Sequence, residues 1–262
     1  MLGAIVGDIV GSVYEFDNHR SKDFPLFRKD SIFTDDSILT IATADALMSG
    51  ECDFAARYRE YGRKYPSSYG TGFSNWIHDD DAGPYNSFGN GSAMRVSPVA
   101  WFEDDEQRVM QLAERSAEVT HNHPEGIKGA QSTAMVILRA RQGASRDDIR
   151  REFEARFGYD TSTSVKELQK TYKYNETCQR TVPEAFRCFY EATDFEDAIR
   201  NAISIGGDSD TVAAITGSMA EAKWGVPEVI KSTALARLET ELSACFERFA
   251  VQFCCRSANP DR

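Results

Sequence analysis

Apolar residues fall at helical spacing along nearly the whole chain, and the alternation that marks a half-buried strand is scarce. Ile38, Leu39, Ala42, Ala46 and Leu47 share one stripe, with Thr34 or an aspartate as its natural N-cap. Phe54, Tyr58, Tyr61 and Tyr65 form a second stripe, ended by Pro66. Val109, Leu112, Ala113, Ser116 and Ala117 form a third. Ile127, Ala130, Ala134, Ile137 and Leu138 form a fourth, ending at Gly143. Ser145 and Asp148 make an acidic variant of the capping box ahead of Ile149, Phe153 and Phe157. Further helices are expected over 183–192, 195–205, 209–223 and 234–250. The expected fold is therefore all-α, about ten helices in a compact bundle, with one domain over 1–262. Segments 16–33, 66–91 and 158–182 read as irregular, and loops of that length in a helical domain are often functional.

Composition narrows the partners. Apolar residues make up 41% and charged residues 27%, as in a soluble globular chain, and the formal net charge is −11. That acidity argues against bare nucleic acid or an anionic membrane as main partner, though not against a nucleotide-like ligand in a local pocket. No stretch is long and apolar enough for a membrane helix, and no signal peptide is evident. The six cysteines show no CxxC pair, so reduced thiols in a cytoplasmic protein are expected. Cys254 and Cys255 read as incidental tail residues.

Two acidic clusters carry the chemistry. Thr34-Asp35-Asp36 and Asp208-Ser209-Asp210-Thr211 each combine carboxylates with a threonine hydroxyl at a helix start. Alone, the first is explained by capping and favourable first-turn charge. The second exceeds what a cap needs, and two glycines, Gly206 and Gly207, precede it. Taken jointly, this density of hard oxygen ligands suits divalent cations, two of them if one carboxylate bridges.

Three further segments are candidates for binding. Gly3, Gly7 and Gly11 recur every four residues, making a smooth helical face for close packing, and Glu15 at the segment's end is a candidate acid/base or water-orienting group. Gly89-Asn90-Gly91-Ser92-Ala93-Met94-Arg95 is a glycine-rich loop running into a helix, suited to an anion, but neither a Walker loop nor a dinucleotide fingerprint. Arg95 pairs with a phosphate or with a core carboxylate. Tyr85 and Phe88 stack a purine or belong to the local core. Thr120-His121-Asn122-His123-Pro124 has poor spacing for zinc; His121 is a phosphate or supporting donor, or a helix-end cap.

Taken in order, these segments resemble the ADP-ribosylglycohydrolase family, from Gly3 to about Trp224. The motifs are Gly7-Asp8-Ile9-Val10-Gly11-Ser12 with Glu15, Phe33-Thr34-Asp35-Asp36-Ser37, the 89–95 loop, Thr120-His121 and Gly207-Asp208-Ser209-Asp210-Thr211. The resemblance implies an all-α orthogonal bundle with a central cleft and a binuclear magnesium site, manganese being an alternative. It implies that Thr34, Asp35, Asp36 and Asp210 bind one ion and that Asp208, Asp210 and Thr211 bind the other. Glu15 would belong to a gating loop. Asn90, Gly91, Ser92 and Met94 would hold the diphosphate and ribose of ADP-ribose, with His121 near the phosphates. Ser37 stands where many members have threonine, and the chain is short for the family.

The implied activity is hydrolysis at C1″ of the distal ribose of an ADP-ribosylated acceptor, with arginine the expected linkage. Asp35, Asp36 or Glu15 would accept the water proton. The rival expectations are a silent binding or structural protein on the same fold, as in the lens crystallins of the family, and a hydrolase of a small ADP-ribose derivative or other nucleotide. The expected partner is an ADP-ribosylated protein or small ADP-ribosyl substrate, and the expected state is monomeric.

Overall fold

The computed structural model describes residues 1–254. Among them are fifteen helices: α1 (Leu2–Gly11), α2 (Asp35–Met48), α3 (Phe54–Lys64), α4 (Thr71–His78), α5 (Gly91–Met94), α6 (Val99–Phe102), α7 (Glu106–Glu118), α8 (Pro124–Arg141), α9 (Arg146–Phe157), α10 (Val165–Thr171), α11 (Cys178–Glu191), α12 (Phe195–Ser204), α13 (Ser209–Trp224), α14 (Glu228–Leu235) and α15 (Thr240–Phe253). The sole β feature among the described residues is an isolated bridge between Gly89 and Thr177. The all-α expectation is met, with more and shorter helices than the periodicity suggested. Cys255 lies outside the described residues.

A helix that is apolar all round is one that the fold encloses. Every residue of α13 from Ser209 to Ala220 is buried, as is every residue of α1. The glycine spacing explains how they meet. A Cβ on Gly7 would stand 2.0 Å from the Ala213 carbonyl oxygen, and one on Gly3 would stand 2.0 Å from that of Gly217. The two backbones therefore touch, which sets Asp8 beside the first turn of α13. Around this pair lie α2, α8, α11 and α12.

Four differences from the sequence reading have local causes. Segment 66–91 contains α4, whose Phe73, Trp76 and Ile77 are buried. Segment 158–182 contains α10, started by Ser164, whose side chain accepts from the Glu167 amide. The expected helix over 234–250 is two helices, α14 and α15, broken between Leu235 and Thr240. Finally, α11 starts at Cys178 rather than at Pro183. Proline favours the first helical position, but here the helix start is anchored by the Cys178 amide donating to the Phe88 carbonyl at 3.0 Å. Segment 16–33 is free of helix, as expected. Ser145 caps α9 by accepting from the Asp148 amide.

Between α12 and α13 the chain reverses through Gly206 and Gly207, at φ +70 and +83, the left-handed region open to glycine. Asn18 pins this turn: its Oδ1 accepts from the Gly207 amide at 2.8 Å and its Nδ2 donates to the Gly207 carbonyl at 2.9 Å. A Cβ on Gly207 would fall 2.4 Å from the Tyr172 ring. The long loop after α1 and the tyrosine together fix where Asp208 emerges.

Candidate active site

Helix starts deliver most of the carboxylates. Asp8 lies within α1 and Glu15 just beyond it. Asp35 and Asp36 open α2 behind Thr34, and Asp208, Asp210 and Thr211 open α13. These residues, Asp8 aside, line one cleft of about 330 Å³. Asp8, Asp36 and Asp210 each place an oxygen within 4.8 Å of the others, and so do Glu15, Asp208 and Asp210. Asp210 is common to both groups. The threonines belong to the same network: Thr211 Oγ1 donates to Asp36 Oδ2 at 3.3 Å.

In the sequence Asp8 stands only as a member of the Gly7-Asp8-Ile9-Val10-Gly11-Ser12 motif, with no role of its own. In the structure it organises the start of α2. Thr34 donates to it through its amide (2.9 Å) and through Oγ1 (2.6 Å). Ser37 donates through its amide (3.1 Å) and through Oγ. Both Asp8 oxygens are thus committed, and Thr34 Oγ1 keeps a lone pair for another ligand, the arrangement by which an outer carboxylate orients an inner donor. The hydroxyl of Ser37 serves the same end.

The electrostatics are those of like charges crowded out of water. Burial raises the carboxyls of Asp36 and Asp210 well above their ordinary range, and neighbouring carboxylates add to it. Burial and then the charge of Asp8 raise Asp35 to about 6, while burial and then Asp208 raise Glu15 to about 7. Burial also raises Asp8 and Asp208, against the hydrogen bonds they accept. No lysine, arginine or histidine among the described residues forms an ion pair with any of the six. Asp36 Oδ1 is buried without a partner. An orphaned carboxylate oxygen within an all-oxygen set is what a hard divalent cation fits.

The opposite wall is the glycine loop. Asn90, Gly91, Met94, His121 and Tyr85 all line the cleft. Asn90 also reaches across it, donating through Nδ2 to Asp208 Oδ2 at 2.6 Å. Ser92 lies beneath the loop, its Oγ donating to the Gly126 carbonyl at 2.7 Å. Phe88 is outside the cleft lining and packs on His123, with ring centroids 5.3 Å apart, so of the two aromatics Tyr85 alone faces the cleft. Arg95 also lines the cleft, although its side chain is fully buried. No carboxylate pairs with it among the described residues; its guanidinium stacks over Tyr58 at 4.1 Å and donates to the Ser116 carbonyl and Thr120 Oγ1. The His121 side chain contacts Thr120 Oγ1 at 2.7 Å rather than capping a helix.

The rim of the cleft carries no motif in the sequence. Tyr174 donates to Glu176 Oε1 at 2.9 Å and to Glu15 Oε1 at 3.4 Å. Glu176 is itself tied to the glycine loop, since its carbonyl accepts from the Asn90 amide at 2.7 Å. Ser68 and residues 70–73 close the cleft from the side of α4. Exposed polar residues in a loop leave no periodic trace, so only tertiary placement reveals them.

The family model for ADP-ribosylglycohydrolase matches residues 1–259. The chain belongs to the ADP-ribosylglycohydrolase family. The enzymes of that name hydrolyse glycosidic bonds. The chain is similar to the ADP-ribosylhydrolase ARH3 of Mus musculus, at 25% identity over 312 residues covering 88% of this chain and 84% of the relative. It is also similar to the ADP-ribosylarginine hydrolase Tri1 of Pseudomonas putida, at 26% identity over 270 residues covering 89% and 73%. A solved structure described as an ADP-ribosylglycohydrolase-related protein complex shares the fold, with a TM-score of 0.69 at 24% identity over 93% of this chain and 94% of that one. Among the described residues, no helix of this ADP-ribosylglycohydrolase is long and apolar enough to cross a membrane.

Proposed function

We propose that the chain releases ADP-ribose from an ADP-ribosylated acceptor by hydrolysis at C1″ of the distal ribose, using two magnesium ions, and that the acceptor is an arginine side chain. The observation that carries this reading is one cleft with two unlike walls. One wall is a set of buried carboxylates without a counter-charge, sharing Asp210. The other is a glycine loop with a histidine at its back, suited to a diphosphate. Thr34, Asp35, Asp36 and Asp210 would hold one ion, and Asp208, Asp210 and Thr211 the other. When bound, such a pair supplies charge for gripping vicinal hydroxyls and for acidifying a water.

The chain's own groups do the rest. Asn90 orients Asp208. Asp8 orients Thr34. Asn90, Gly91, Met94 and His121 would hold the phosphates and ribose, with Tyr85 beside the base. Glu15 sits where the cleft opens, and its carboxyl, raised to about 7, suits taking a proton from water near neutral pH. An arginine-linked acceptor fits the rim: Glu15 and Glu176 offer carboxylates to a guanidinium there, and one relative is named as an ADP-ribosylarginine hydrolase.

The experiment is a panel of defined linkages (arginine, serine, acidic side chain, nucleotide, small ester) assayed for free ADP-ribose, with magnesium and with a chelator. Magnesium-dependent release, fastest from arginine, is expected. Magnesium-dependent thermal stabilisation without turnover on any linkage would replace the enzyme with a binding protein. Release of AMP in place of ADP-ribose would move the cleaved bond to the diphosphate.

A further inference from the structure

We infer that Arg95, acting through Thr120, is a positioning residue that fixes His121 in the tautomer carrying its proton on Nε2, the edge turned to the glycine loop and the cleft. The role of that proton rests on the ADP-ribosyl reading above. The tautomer itself follows from the hydrogen bonds alone.

Arginine has donors and no acceptor. Arg95 Nη2 therefore donates both its hydrogen bonds, to the Ser116 carbonyl at 3.1 Å and to Thr120 Oγ1 at 2.8 Å. Thr120 is completely buried, and its hydroxyl hydrogen needs an acceptor. Among the described residues the one group within reach is His121 Nδ1, at 2.7 Å. If Nδ1 carried the proton instead, that hydroxyl hydrogen would be left buried without a partner. Nδ1 is thus the acceptor, and in a neutral imidazole the proton then sits on Nε2. The doubly protonated ring is disfavoured as well: burial, and then the charge of Arg95, hold His121 well below the usual histidine range.

The free edge points where a donor is useful. A Cβ on Gly91 would stand 3.1 Å from Nε2, and one on Gly89 would stand 3.5 Å from it. Glycine at both positions keeps that edge uncovered, and His121 lines the cleft although only 5% exposed. No described residue bonds to Nε2. The arrangement offers an anion a neutral N–H whose presence does not vary with pH, backed by a fixed positive charge. Arg95 also lines the cleft, and the two hydrogen bonds it makes go to Ser116 and Thr120. Its Nε and Nη1 have no partners and its guanidinium is held flat against Tyr58.

Long-range proton–nitrogen correlation on the 15N-labelled chain reads the tautomer directly, with His121→Asn assigning its signals apart from those of His19, His78 and His123. Arg95 variants risk unfolding, so Thr120→Val, which keeps the shape, and Thr120→Ser, which keeps the hydroxyl, are the informative pair. The expected result is Nε2–H in the wild type and in Thr120→Ser, and a mixture in Thr120→Val. Binding of ADP-ribose in magnesium by calorimetry should weaken about tenfold in Thr120→Val and recover in Thr120→Ser. A protonated Nδ1 in the wild type, or unchanged tautomer and affinity in Thr120→Val, would overturn the inference. Absence of ADP-ribose release from every linkage would instead count against the proposed function and leave the tautomer untouched.

Discussion

Two groups of acidic side chains in this molecule receive opposite treatment. On the outer side, Glu106 of α7 and Glu152 of α9 are shared between Arg139 of α8 and Arg156 of α9. Arg139 Nη2 lies 2.7 Å from Glu106, and its Nε lies 2.9 Å from Glu152. Arg156 bonds Glu106 and holds its carboxyl below the ordinary range. Around the cleft, five carboxylates that line it and Asp8 just outside its lining are gathered without an ion pair to any cation among the described residues, and burial pushes all six upward. The chain has 30 lysines and arginines, so partners were available. Where it needs a clip between helices it supplies the counter-charge, and in the cleft it leaves that charge to a ligand. The contrast locates function more sharply than acidity does.

Breaking the cleft side should give the largest effect. Asp210→Asn keeps the size and the Oδ1 that accepts from the Thr211 amide at 2.9 Å, but removes the charge shared by both carboxylate groups. Turnover should fall about a thousandfold or more, the rate equivalent of roughly 4 kcal/mol. The same substitution should raise the melting temperature of metal-free protein at pH 8, because a buried, repelled carboxylate no longer has to be ionised. An Asp210→Asn protein that melts lower without metal would mean that the cluster is compensated from within.

Half of that contrast is legible in the sequence. The two Thr/Asp clusters announce oxygen ligands, and the Gly3, Gly7, Gly11 spacing announces a close helix neighbour. What the spacing cannot name is the neighbour, since α13 lies some two hundred positions away and leaves no local trace. Asp8 shows the same limit. A lone carboxylate in an apolar helix signals a buried charge, but its partners Thr34 and Ser37 come from another element. For Arg95 the sequence leaves phosphate and carboxylate both open because it gives no depth; in the fold no carboxylate among the described residues pairs with it, and it sits fully buried in the cleft lining. The short helix α4 escaped because Gly70 and Gly72 bracket its start, and glycine lowers helix propensity there.

Glu184 tests the contrast at an intermediate scale, being a buried acid outside the cleft with an incomplete partner. Arg180 approaches Oε1 at 3.4 Å, and Oε2 has no partner. Burial raises its carboxyl to about 7, against about 4.3 for an unfolded glutamate. A folded-state pKa above the unfolded one means that the associated stability is complete below about pH 4.3 and is lost as pH rises through about 7. Glu184→Gln should therefore stabilise the protein at pH 8, by about 1–3 kcal/mol, and make little difference at pH 4. Chemical denaturation at both pH values measures the difference. Equal effects at both would show that the carboxyl is never desolvated in solution.

The smallest effect is expected where the charges are fully paired. The side chains of the α7–α9 clip are 27 to 37% exposed, so water screens them and each ion pair is weak. Glu106→Gln removes one carboxylate from both arginines while keeping a hydrogen-bond acceptor. It should cost about 1 kcal/mol or less, shrink further in high salt, and leave turnover unchanged. Denaturation in low and high salt, with the ADP-ribose release assay alongside, decides it. A cost of several kcal/mol that survives high salt would place the clip among the interactions that define the core, and the division between paired structural acids and unpaired functional ones would no longer hold.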